Sequence, residues 1–157
     1  MKKTLSYFSI LITIIIYSCG QTPDKVIDPN AATKADSAKM VCYIAIDGID
    51  TAHLSLITAK DSKITGDMLI NYAEKGDSNG QIAGEFRGDT LFVDYTFKIG
   101  TANKTIYKNP LAFLNKDGKL TMGVGQIETF LGRSRFVKGT PINFERGRFV
   151  FLPSECK

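Results

Sequence analysis

Gly88-Asp89-Thr90-Leu91-Phe92-Val93-Asp94-Tyr95-Thr96-Phe97-Lys98 carries the clearest strand pattern in the chain. Leu91, Val93, Tyr95 and Phe97 alternate with Thr90, Asp94 and Thr96, and Phe92 is the exception. Period two is the signature of a half-buried strand, because successive side chains point to opposite faces of a sheet. Upstream, Ile64, Met68, Ile70 and Tyr72 alternate in the same way with Thr65, Asp67 and Asn71. Turn formers separate such runs at short intervals: Asp47-Gly48, Lys60-Asp61-Ser62, Gly76-Asp77-Ser78-Asn79-Gly80, Arg87-Gly88-Asp89, Lys116-Asp117-Gly118 and Arg146-Gly147. No window carries a helical face. The pattern predicts strands near 40–47, 52–59, 63–73, 80–87, 90–98, 103–114, 119–128 and 142–152. An all-β antiparallel meander of about eight strands closes into a barrel or folds as a sandwich. Gly66, Gly84, Gly123 and Gly125 inside the strands suit the bends of closure, which favours the barrel.

Before this body the chain has another character. Lys2 and Lys3 precede an apolar run from Leu5 to Ile16, which ends at Tyr17-Ser18-Cys19-Gly20. A basic start, a short apolar stretch and a small residue before the cut are those of a secretory signal. Crossing a bilayer takes roughly 20 apolar residues, more than this run offers. Ile16-Tyr17-Ser18-Cys19 resembles the bacterial lipobox, which implies cleavage after residue 18 and acylation of Cys19; the alternative is an ordinary signal peptide with an incidental cysteine. With two or three acyl chains, attachment would be effectively permanent.

Residues 19–39 are polar apart from Val26-Ile27 and cannot bury enough surface to offset their ordering entropy. They read as a flexible tether with an r.m.s. reach of about 25 Å. The organisation expected is therefore a signal at 1–18, a lipid-anchored tether at 19–39 and a barrel domain at 40–157. It places the protein in a bacterial cell envelope, on a periplasmic or outer-membrane face.

Loss of Lys2 and Lys3 with the signal lowers the formal charge from +4 to +2. Such a balance argues against nucleic acid as a partner. Residues 129–157 are nevertheless basic, with Arg133, Arg135, Lys138, Arg146, Arg148 and Lys157 against Glu145 and Glu155. They form either a patch for anionic lipid heads or glycan, or the ordinary mixed surface of a strand pair.

The chain has 3 cysteines. With Cys19 assigned to lipid, Cys42 and Cys156 remain as an even pair in a compartment that permits disulfides. They fall in the first strand and just after the last, which are neighbours in a closed meander. A bridge would lock the seam; two free thiols are the alternative.

Chemistry-bearing motifs are sparse. His53 is the single histidine and no Cys-x-x-Cys occurs, so neither a zinc site nor a Ser-His-Asp arrangement is supported. Asp47-Gly48-Ile49-Asp50 and Asn115-Lys116-Asp117-Gly118 hold oxygen ligands of the kind calcium takes, but turn chemistry explains them. Gly123-Val124-Gly125-Gln126 lacks the third glycine of a dinucleotide loop. Glu74 with Glu85, or Asp89 with Asp94, could pair as carboxylates for glycoside chemistry. No cofactor or metal is expected. The phenylalanines at strand spacing read as core, with a few able to line a cavity.

Glu74-Lys75, Gly84-Glu85-Phe86-Arg87-Gly88-Asp89-Thr90-Leu91 and Asp94-Tyr95-Thr96-Phe97 resemble a group of small uncharacterised lipoproteins of Bacteroidota, over about residues 42–156. More distantly the body is similar to lipocalin-like barrels of envelope stress and inhibitor lipoproteins. It lacks the Cys-x-x-Cys of the copper-linked members and the Ser-Gly-x-x-Tyr of the periplasmic lysozyme inhibitors, so neither activity carries over. The expectation is a non-enzymatic envelope lipoprotein whose barrel binds a small apolar ligand or a partner protein. The alternative is a structural or interaction module with a filled core and no ligand. An interior cavity, present or absent, separates the two.

Overall fold

A computed structural model describes residues 39–156. The signal at 1–18, Cys19 and nearly all of the tether expected at 19–39 lie outside the described residues, as does Lys157. Every regular element described is a strand: β1 (Met40–Asp47), β2 (Asp50–Thr58), β3 (Lys63–Asn71), β4 (Ser78–Arg87), β5 (Thr90–Ile99), β6 (Tyr107–Lys116), β7 (Lys119–Met122), β8 (Ile127–Phe130), β9 (Arg133–Phe136) and β10 (Val150–Ser154). Eight of them form a closed antiparallel barrel in the order β1-β10-β7-β6-β5-β4-β3-β2, and β8 and β9 pair as a separate hairpin. The expected barrel is thus the observed one.

Alternation selects the inside. Leu91, Val93, Tyr95 and Phe97 of β5 are buried, and so are Ile64, Met68 and Ile70 of β3 and Leu54 and Leu56 of β2. Phe113 and Phe151 meet edge to face at 5.6 Å between ring centres, with neither exposed. Each side chain of this size contributes roughly 1.5–3 kcal/mol on burial. Polar positions alternate outward along β3 to β5, among them Thr65, Asp67, Gln81, Asp94 and Thr96. The interior is therefore an apolar core of packed side chains, whereas the lumen of a membrane barrel is polar. Its polar latch is Tyr95, whose buried hydroxyl lies 3.0 Å from the Met68 carbonyl oxygen and 2.9 Å from that of Ser78. Burial holds this hydroxyl well above the ordinary phenol range.

Two glycines permit the coiling of the wall. A Cβ on Gly84 would lie 1.9 Å from the Phe92 carbonyl oxygen, and one on Gly66 would lie 1.8 Å from that of Ser55. Neighbouring backbone occupies the space where any other residue keeps its side chain.

Three expected strands differ from those observed by more than two residues at one end. The run expected at 103–114 begins at Tyr107 and ends at Lys116. The strand expected at 119–128 leaves the barrel after Met122, and its continuation becomes β8. Of 142–152, only the end is paired, as β10. The departure point is Gly123, where a Cβ would meet Ile142 at 2.4 Å and Phe144 at 2.7 Å; the returning chain packs into that space. Gly123 and Gly125 thus admit side chains outside the barrel rather than bending a barrel strand. Pro110, which has no N–H to donate, falls in the part of β6 that has lost its β7 neighbour.

Candidate interaction surface

Phe92 breaks the alternation of β5 because its outward face is also covered. Phe136 of β9 lies over it with ring centres 6.5 Å apart at 77°. Pro110 and Ala112, also off the inward register of β6, are buried too. The β8–β9 hairpin therefore lies against the outer wall over β5 and β6. Between the hairpin and the wall of β3 to β6 runs a groove of about 610 Å³, lined by Lys63, Thr65, Ala83, Glu85, Arg87, Phe92, Asp94, Pro110, Arg135 and Phe136 among others. Its floor is apolar and its rim charged.

The rim charges are mutually satisfied. Lys63 and Arg87 both pair with Glu85. Hydrogen bonding from Lys63, then from Arg87, holds the Glu85 carboxyl below the usual range, and Glu85 in turn raises Lys63. The Arg87 guanidinium stands 5.4 Å above the Phe92 ring, a cation–π distance. Asp94 pairs with Lys108 at 2.9 Å. Beyond it a second hollow lies under the hairpin tip, lined by Asp94, Lys108, Phe130, Leu131, Gly132, Arg133, Ser134 and Arg135.

The paired cysteines meet. Cys42 and Cys156 form a disulfide, with α-carbons 5.2 Å apart. It reinforces a short seam in the wall, since β1 and β10 share only the pairs Cys42↔Ser154, Tyr43↔Pro153 and Ile44↔Leu152. Beside the bridge, on the outer face, a hollow of about 500 Å³ is lined by Ile44, His53, Ser55, Asp67, Leu69 and Asn79 among others. His53 is thus an outward, half-buried residue of that hollow.

The other candidates disperse. Asp47 and Asp50 hold Arg148 at 2.6 and 2.7 Å, and Asp50 accepts a hydrogen bond from the Ala73 N–H at 3.0 Å. That backbone bond first, and Arg148 next, keep the Asp50 carboxyl below its ordinary value. The turn is a clasp joining the β1–β2, β3–β4 and pre-β10 segments at one end of the barrel. Asp117 and Gly118 have φ of 54° and 76°, as a type I′ hairpin turn requires. Glu74 precedes β4 while Glu85 lies seven residues into it, about 23 Å along the strand. Asp89 and Asp94 are about 16 Å apart along β5 by the same rise. Both separations exceed the ~5–9.5 Å that paired glycosidase carboxyls need. Among the described residues no group of three or more His, Cys, Asp or Glu could hold a metal ion. The basic residues of 129–157 divide as well: Arg135 pairs with Glu128 on the hairpin, and Arg148 belongs to the clasp.

The hairpin and its groove were not expected from the sequence. Two signals for them were present: the outward Phe92, and Phe130-Leu131-Gly132-Arg133, with glycine in a two-residue turn between alternating runs. No protein-family model, curated protein or solved structure matches the chain.

Proposed function

We propose that the protein is a non-enzymatic lipoprotein of a bacterial envelope, held at a membrane through Cys19, whose barrel holds a partner protein on its outer wall. One observation carries the choice of the outer wall: the interior is occupied by the protein's own side chains, whereas the groove beside the hairpin is open, apolar at its floor and charged at its rim. Such a floor and rim suit a protein segment with apolar and charged side chains. The candidate acids are committed to cations or separated along strands, which supports a binding rather than a catalytic use. The signal, the lipobox resemblance and the likeness to small Bacteroidota lipoproteins support the anchor. The outer hollow beside the disulfide favours a second reading, a small apolar ligand seated on Ile44 and Leu69.

A photo-crosslinking residue at Ala83 in the groove, expressed in the native host, is expected to yield one discrete adduct that Arg87→Glu abolishes. The same residue at exposed Thr58 should yield none. Equal adducts from both sites would refute the groove; a small molecule released from the purified native protein and displaced by Leu69→Arg would establish the second reading instead. For the anchor, Cys19→Ala is expected to abolish labelling by radioactive palmitate and leave the precursor uncut. Equal labelling of the variant would overturn it.

A further inference from the structure

The β8–β9 hairpin ends in a turn whose composition its geometry does not explain. Phe130 pairs with Arg133, leaving Leu131 and Gly132 as a two-residue loop. Both have positive φ, 49° and 74°. The type I′ turn they form normally takes Asn, Asp or Gly at its first position, because a side chain there is strained. Leucine occupies it here and is 86% exposed, beside a Phe130 that is 63% exposed. Two large apolar side chains are thus held largely in solvent at a strained tip.

The surroundings are cationic on balance, since Asp94, which lines the hollow under the tip, is held by Lys108. Arg133 follows the turn with no carboxylate paired to it among the described residues, and Arg135 reaches back to 6.0 Å from the Phe130 ring. Glu128, the acid of the hairpin strands, is held by Arg135 at 2.8 Å. We propose that Phe130 and Leu131 insert into the interface of an anionic phospholipid bilayer, with Arg133 and Arg135 at the level of the headgroups. Apolar tip and basic collar match the two layers of that interface in order. A partner protein would need a pocket bearing the same succession, and no feature of the hairpin supplies a reason for one.

The inference rests on the envelope reading only for bringing the domain to a bilayer. The chain contains no tryptophan, so Thr129→Trp gives a single reporter beside an intact tip. The full chain is reconstituted on vesicles of phosphatidylcholine, alone or mixed with phosphatidylglycerol. With the mixed vesicles, emission from the indole at position 129 should shift to the blue and be quenched by brominated acyl chains. Leu131→Asp should abolish both effects, and Arg133→Ala should lower the inserted-to-free ratio about five-fold. A control, Thr58→Trp, should stay unquenched. An unquenched indole at position 129, on protein that floats with the vesicles, overturns the inference and leaves the anchor standing. Quenching equal to that of the position-58 control, or equal in both lipids, also overturns it, as does a blue shift that requires another protein. Insertion in a Cys19→Ala chain would uphold the hairpin while palmitate labelling alone judged the anchor.

Discussion

Removing the Cys42–Cys156 bridge should lower the melting temperature by about 15 °C without changing the fold. The cysteines are 114 residues apart, so the bridge closes nearly the whole domain into one loop. In the chain-entropy model a loop of this length stabilises by about 5 kcal/mol through the unfolded state. Loss of a native bridge commonly costs about 2–5 kcal/mol, so about 4 kcal/mol is the working figure. A domain of about 120 residues unfolds with an entropy near 0.25 kcal/mol/K, which converts that figure to about 15 °C. The location sharpens the expectation, because the β1–β10 seam it reinforces includes a proline with no N–H to pair. Thermal unfolding of Cys42→Ser, Cys156→Ser and the double variant, followed by circular dichroism, provides the measurement. Each single variant should melt close to the double. A double variant that melts within about 2 °C of the parent would refute this stabilisation, as would reactive thiols at both positions in unreduced, unfolded parent protein.

Gly84→Ala should destabilise by about 2–3 kcal/mol or abolish expression, since the new methyl would sit on the Phe92 carbonyl. Gly88→Asn, at φ 65° in the open β4–β5 turn, should cost far less; equal melting of the two variants would refute the close-approach account. Because Asp50 has a depressed pKa in the folded state, its contribution is present above the unfolded value near 4 and is lost as pH falls through the folded value. Asp50→Asn should therefore flatten the acid limb of a melting-temperature profile below pH ~4, and an unchanged limb would show that the clasp does not couple to folding.

The class of this body was legible in local pattern alone. Period-two alternation names which side chains face inward, and that choice is local: shifting Leu91, Val93, Tyr95 and Phe97 by one residue would expose all four. Turn chemistry at Asp47-Gly48, Arg87-Gly88-Asp89 and Lys116-Asp117-Gly118 divided the runs for the same reason, since φ above zero is a property of one or two residues. Cys42 and Cys156 were legible as a pair because a closed meander makes its first and last strands neighbours. The path after Met122 depends instead on packing between distant parts of the chain. The run 119–128 alternates well enough to continue as a strand, but Ile142 and Phe144 return from far along the chain to occupy the side of Gly123. The chain is thereby turned out of the barrel and laid over Phe92. Which side chains pack together inside the barrel was likewise beyond local pattern, since Phe113 and Phe151 meet only when the wall closes. Neither competition is encoded in the neighbours of any one residue, so the groove and the exposed tip emerge only when the whole chain is packed.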